Sequence, residues 1–213
     1  MTQDVSAVGR KLIAACAAAI AANADRLTAL DQAIGDGDHG ANMKRGFAAL
    51  AEAAGDIAAL PPSEALKKSG MTLVMKVGGA SGPLYGSLLM AMGKAEGVDD
   101  GIDAGRIAAM LGEGIAAVKA RGKSDVGAKT MLDVLVPVHQ ALVEAVAAGA
   151  EPAAIAARLK AAADAAEAAT MPMQATRGRA SFLGERSIGH LDPGGESSRL
   201  LIHTVCDVLT GEA

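Results

Sequence analysis

The segment Leu30–Asn42 reads LDQAIGDGDHGAN, and what flanks it decides the fold. Three carboxylates, Asp31, Asp36 and Asp38, are spaced by Gly35 and Gly37 and followed by His39, Gly40 and Asn42. Glycines let the backbone fold tightly enough for several side chains to converge. Converging carboxylates repel one another unless a positive charge sits among them, and hard divalent cations prefer oxygen shells. These residues therefore fit a Mg²⁺ or Ca²⁺ loop at the head of a helix. They equally fit a solvated turn, with Asp36 bonding its own backbone and Asp38 capping the next helix.

Two motif matches in the segment fail. Asp36-x-Asp38 opens like an EF-hand loop, but its twelfth position is Phe47, where a bidentate Glu is required. Gly35-x-Gly37-x-x-Gly40 has the dinucleotide-fingerprint spacing, but no strand precedes it, and two aspartates would face a pyrophosphate. Upstream, apolar residues recur with helical period over residues 5–29, and downstream they do so over 41–54.

The rest of the chain repeats that pattern. Further helices are expected at 63–77, 83–96, 103–120, 130–148, 152–170 and 196–209, which makes eight helices and no strand. Composition agrees: 51% of the 213 residues are apolar, yet there is no Trp, one Tyr and two Phe, and about a quarter are Ala. Scarce aromatic residues disfavour sheet and alanine favours helix. The expected fold is all-α, an antiparallel up-and-down bundle forming a single domain over residues 1–213, with close helix contacts through Ala and Gly.

In such a bundle, alternate loops share an end. The loops after the first, third, fifth and seventh helices hold the acidic segment, GGASGP (78–83), GKSDVGAKT (122–130) and the long stretch 171–195. The other loops are plain turns. One end is therefore chemical. Gly78 to Gly82 ahead of Pro83 offers backbone N–H groups at a helix N-terminus, suited to an anion. Gly122-Lys123-Ser124 imitates a Walker A terminus, but the opening glycine position is Ala117 and a helix precedes it. Arg177, Arg179 and Arg186 in the long stretch are suited either to phosphate oxygens or to ion pairs with Glu185 or Asp192. Carboxylates, glycine-rich loops and arginines together suggest a metal–nucleotide site.

Net charge is −4, with no basic block, so nucleic acid is not an expected partner. Cys16 and Cys206 have no metal or disulfide spacing and read as core residues in a reducing compartment. Arg10-Lys11 followed by an Ala-rich run imitates a signal peptide, but the run continues as a helical face through Leu27 and Leu30. No membrane span is expected, and the expected location is cytoplasmic.

Four longer stretches carry a resemblance: LDQAIGDGDHGANM (30–43), GGASGPL (78–84), KTMLDVLVP (129–137) and RGRASFLGERSIGHLDPGG (177–195). In order and over essentially the whole chain, they resemble the nucleotide-binding L subunits of phosphoenolpyruvate-dependent dihydroxyacetone kinases. That resemblance implies an eight-helix antiparallel barrel with ADP or ATP bound at one end through two Mg²⁺ ions. Carried over by position, Asp31, Asp36 and Asp38 are the implied Mg²⁺ ligands. His39, Gly40, Ala41, Asn42, Ala80, Ser81, Gly122, Met131, Arg179, Asp192, Pro193 and Gly194 are the implied nucleotide contacts. Ala128 departs from the family pattern, in which Asp precedes Lys-Thr-Met.

The implied chemistry is phosphoryl transfer by positioning and charge neutralisation, with no covalent nucleophile on the protein. His39 is implied as a nucleotide contact rather than a phosphocarrier, and His139 and His203 as ordinary helical residues. The implied partners are a K subunit that holds dihydroxyacetone and an M subunit whose phosphohistidine recharges bound ADP. A homodimer is left open. Two alternatives remain open as well: an ATP-dependent kinase subunit for dihydroxyacetone or another small ketose such as erythrulose, and a non-catalytic nucleotide sensor.

Overall fold

A computed structural model describes residues 5–212; residues 1–4 and 213, included in the expected domain, lie outside the described residues. Among those described, no strand forms. The helices are α1 (Val5–Ala22), α2 (Ala24–Ile34), α3 (His39–Glu52), α4 (Ala54–Ala58), α5 (Pro62–Lys76), α6 (Ser81–Met92), α7 (Ala104–Gly122), α8 (Leu132–Ala147), α9 (Pro152–Thr170) and α10 (Pro193–Thr210). A 3₁₀ helix, η1, covers Arg179–Ser187.

Local chemistry explains where this differs from the sequence pattern. The first expected helix divides at Asn23, whose side-chain amide donates to Ala19 O at 2.8 Å and satisfies a terminal carbonyl of α1. The second ends at Glu52, and Ala53, where ψ is 6°, separates it from α4, a five-residue helix in what the pattern reads as a plain turn. Pro62 opens α5, and its next amide, Ser63 N–H, is capped by Asp99 from a distant turn at 2.9 Å. Pro193 similarly opens α10 three residues before the periodic face begins, with Asp192 as its N-cap. The long stretch is not structureless, since η1 occupies nine residues of it.

Each helix packs on its chain neighbours: α3 on α5, then α5–α6–α7–α8–α9–α10 in succession, with α10 returning to α1 and α1 to α3. The main core gathers Ile20, Leu27, Met43, Phe47, Leu73, Leu88, Ile115, Val118 and Leu132 from these helices. Each such buried side chain contributes roughly 1.5–3 kcal/mol of transfer free energy. Glycines set the closest approach: a Cβ on Gly70 of α5 would stand 2.7 Å from Gly86 O of α6. α1 is long and apolar enough, by length and composition alone, to cross a membrane, with mean hydropathy 1.6. Here Ile13, Cys16, Ala17 and Ile20 of α1 pack into the main core.

The acidic loop, residues 77–80, residues 123–131 and residues 171–192 all come together at one end. They lead into α3, α6, α8 and α10, so four helix N-termini face that end.

Candidate functional site

The acidic loop is organised by Asp31, in the last turn of α2. Its buried carboxylate Oδ2 accepts the amides of Asp38 at 2.8 Å and His39 at 3.0 Å. Asp38 holds the N-cap position of α3, yet its own side chain makes no capping bond. The cap is supplied from the previous helix instead, leaving the Asp36 and Asp38 carboxylates exposed. Gly35 is required because a Cβ there would overlap Asp31 Oδ1, and Gly37 because its φ is +75°. Oxygens of Asp31, Asp36 and Asp38 lie within 4.8 Å of one another. Three hard oxygen donors, two of them on exposed side chains, fit a divalent cation. Arg179 Nε lies 2.9 Å from Asp36 Oδ2, so this arginine meets the acidic loop rather than Glu185 or Asp192.

Next to the acid cluster, His39 is buried and spoken for on both sides. Nδ1 is 3.0 Å from Ser81 Oγ at the start of α6, and Nε2 is 3.0 Å from Ser197 Oγ in α10. Burial pushes its pKa down, against the opposing pull of Asp31 and Asp38 and a bond to the Pro193 backbone. A neutral ring with one nitrogen donating and the other accepting ties three helix starts together. Tyr85 extends the network, its hydroxyl lying 2.8 Å from Ser197 Oγ and 2.9 Å from Ser198 Oγ. Burial raises the Tyr85 pKa to about 12, so it stays protonated. Gly40 admits α3 close to α2, since a Cβ would overlap Ala24 O. Asn42 is buried beside Gly78 and accepts from Arg45 Nη2 at 2.6 Å. Ala41 and Ala80 are exposed at the starts of α3 and α6.

The α7–α8 loop and the long stretch form the other half. Asp133, in the first turn of α8, accepts from Gly127 N–H at 2.5 Å and Thr130 N–H at 2.7 Å, tying the preceding loop to the helix. Lys129, 1% exposed, donates through Nζ to the carbonyls of Met173 at 3.0 Å, Ser187 at 2.6 Å and Met171 at 3.4 Å. Ala128 is buried and its carbonyl accepts from Thr176 N–H at 3.2 Å. The family-pattern Asp is thus absent where the backbone alone makes the link. Asp192 Oδ2 accepts from Gly195 N–H at 2.6 Å, while burial raises its pKa to about 7. Gly194 abuts Met131, with a Cβ placed 3.6 Å from Met131 N. Gly122 ends α7, and beside it a cavity of about 450 Å³ opens between Lys119, Lys123, Val126, Ala128 and Arg177. None of the acid cluster lines that cavity.

Every sequence-expected site residue therefore falls at the same end. Four contributors were not singled out in the sequence: Lys129, Tyr85, Asp133 and Ser197. Lys129 and Asp133 stand inside the KTMLDVLVP run, and Ser197 two residues beyond DPGG, but nothing local signals the distant partners of Lys129 or Tyr85. His190 is exposed, His139 Nε2 is bonded to Ala108 O, and His203 is paired with Asp164.

The fold and site define a class: an all-α domain whose clustered carboxylates and helix N-termini suit an anion carried with a divalent cation. The DAK2 domain family model matches residues 33–207, and the chain belongs to that family. It is 46% identical over 187 residues to the ADP-binding subunit DhaL of PEP-dependent dihydroxyacetone kinase 1 from Listeria innocua, covering 86% of each chain. It is 42% identical to the ADP-binding subunit DhaL of the Escherichia coli PEP-dependent dihydroxyacetone kinase, covering 85% of this chain and 87% of that one. The crystal structure of the C. freundii dihydroxyacetone kinase in complex with AMP-PNP and Mg²⁺ superposes on 94% of this chain with a TM-score of 0.72. At 22% identity this shows the fold, and the match spans 34% of that longer chain.

Proposed function

We propose that this chain is the ADP-binding L subunit of a phosphoenolpyruvate-dependent dihydroxyacetone kinase, acting in the cytoplasm as a phosphotransferase. In this reading a phosphohistidine on an M subunit phosphorylates the bound ADP, and the phosphoryl group passes to dihydroxyacetone on a K subunit. The observation that carries the site is the convergence of the Asp31–Asp36–Asp38 oxygens with the N-termini of α3, α6, α8 and α10. The relatives' ADP-binding role supports the choice of nucleotide, and the closed helix circuit supports the eight-helix barrel.

Asp31, Asp36 and Asp38 would hold two Mg²⁺ ions, which when bound neutralise phosphate charge that the aspartates would otherwise repel. Exposed backbone at Gly79 and Ala80 leads into an α6 start with no side-chain cap, leaving amide donors for phosphate oxygens. Asp192–Gly194, Gly122, Met131 and Arg179 would enclose the rest of the nucleotide. His39 orients the helix starts and holds no phosphoryl group, because both its nitrogens are engaged.

The test is to purify the protein in Mg²⁺ without added nucleotide, denature it, and quantify what is released. About one ADP per chain is expected, with none in Asp36→Asn/Asp38→Asn protein whose helical content is unchanged. An empty protein that exchanges ATP freely would overturn the resident-ADP reading in favour of an ATP-dependent subunit. One that binds no nucleotide would overturn the site.

A further inference from the structure

The only buried side-chain polar atoms without a hydrogen-bond partner, among the described residues, are the two carboxylate oxygens of Glu167. Glu167 sits in the last turn of α9 and is 3% exposed. It lies against the first turn of α10, where a Cβ on Gly195 would overlap its Oε2. Gly195 is the residue whose amide Asp192 caps. A second link runs through the backbone: Thr170 Oγ1 donates to Glu167 O at 2.8 Å and accepts from Asp192 N–H at 3.2 Å. Glu167 therefore bears on both the side chain and the main chain that fix Asp192–Pro193–Gly194.

Charges around it offer no rescue. On α10, Glu196 is already bound by Arg199 at 2.7 Å and by Arg26 of α2 at 2.9 Å. Lys129, from the α7–α8 loop, spends its donors on carbonyls. Asp192 and Glu196 face Glu167 with negative charge, outweighing the opposing pull of Arg199 and Arg26. Val134 of α8 and Ala163 and Ala166 of α9 form apolar surroundings close by. An ionised Glu167 has nothing to pair with here, so the packed arrangement is that of the neutral acid.

We propose that Glu167 is a positioning residue for the α10 end of the nucleotide site, and that its proton is coupled to nucleotide binding. The neutral acid lets the first turn of α10 close over α9; the carboxylate drives the two apart, displacing Asp192–Gly194. This inference rests on the nucleotide-binding reading above. Burial and the neighbouring carboxylates raise the Glu167 pKa to about 8, which places the coupling above neutral pH. The titrations of Asp192, near 7, and of His39, pushed below its ordinary value, fall at lower pH.

The experiment measures the Kd of ADP in saturating Mg²⁺ between pH 7 and 9, at a temperature where the protein is fully folded throughout. Binding is expected to weaken about tenfold across that range, following the fraction of neutral Glu167. Glu167→Gln should abolish the slope and hold the neutral-pH affinity at pH 9. Glu167→Met, which needs no hydrogen bonds, serves the same purpose if the amide disturbs the fold. A flat profile in the parent, or an undiminished slope in either variant, overturns the proposal while leaving nucleotide binding intact. Absence of ADP binding at every pH would instead bring down the nucleotide-site reading itself.

Discussion

Replacing Lys129 by Met tests whether the two halves of the chemical end are held by one buried ammonium. Lys129 is 1% exposed and sits at φ +59°, a left-handed conformation that costs a non-glycine residue about 1 kcal/mol or more. It reaches carbonyls 42, 44 and 58 residues away in sequence. Met nearly preserves the unbranched shape, so the change removes charge and donors without opening much of a cavity. Charge-assisted hydrogen bonds contribute roughly 1.5–3 kcal/mol each, offset by the several kcal/mol needed to desolvate an ammonium. The three carbonyls then lose their buried donor, and the expected net loss is about 3–5 kcal/mol.

For a chain of this size that corresponds to a melting temperature lower by roughly 10 °C. Calorimetry measures the global effect, and trypsin measures the local one, because Arg177, Arg179 and Arg186 are exposed on the segment that Lys129 secures. Nicking at these arginines should accelerate before global unfolding sets in. A Lys129→Met protein melting within about 2 °C of the parent, with unchanged cleavage, would refute the assignment of Lys129 as the anchor of that segment.

Other expectations follow from single contacts. Gly195→Ala should destabilise the protein by about 1–3 kcal/mol through overlap with Glu167 and cost much less in a Glu167→Ala background, a coupling read by double-mutant unfolding. Glu167 has its folded pKa raised from 4.5 to about 8, so the native state binds the extra proton and stability falls as pH rises through that window. Glu167→Met should therefore gain on the parent from pH 5 to 8, by on the order of 3–5 kcal/mol, and level off above, as measured by urea unfolding. Tyr85→Phe removes the hydroxyl that bonds Ser197 and Ser198 and should lower stability by about 1–2 kcal/mol in the same assay.

What the sequence disclosed depended on how far each interaction reaches along the chain. Helix periodicity is local, so the long helices were legible, whereas the Asp192 cap on Gly195 was not, because it starts α10 three residues before the periodic face begins. The acidic loop was legible because its carboxylates and glycines adjoin. The break at Asn23 was hidden, since one side-chain bond interrupts a periodic face without changing its period. The structure of residues 179–187 was hidden because Ser187 bonds both Gly184 O and Ala175 N–H, a closure no periodicity signals. Lys129 and Glu167 read as ordinary charged residues; only packing shows that one is buried among acceptors and the other without a hydrogen-bond partner.

The capping pattern also gives a physical reason why nucleotide binding at the proposed site would call for a cation. Of the four helix starts that meet there, two are already answered by the protein's own carboxylates. Asp31 takes the amides at the head of α3 and Asp192 one in α10, while at α8 the Thr130 hydroxyl takes the Leu132 amide and the Asp133 carboxylate stands in the first turn. Their positive ends are spent on fixed negative charge, so they leave little field for an incoming phosphate. The start of α6 differs. Ala80 has no side chain to cap it, Gly79 takes φ +65°, and no carboxylate accepts its amides. A polyphosphate in the proposed site meets one open helix start and a cluster of aspartates that repel it. Those aspartates become attractive only with metal between, so ADP and Mg²⁺ should bind as one unit rather than as two independent ligands.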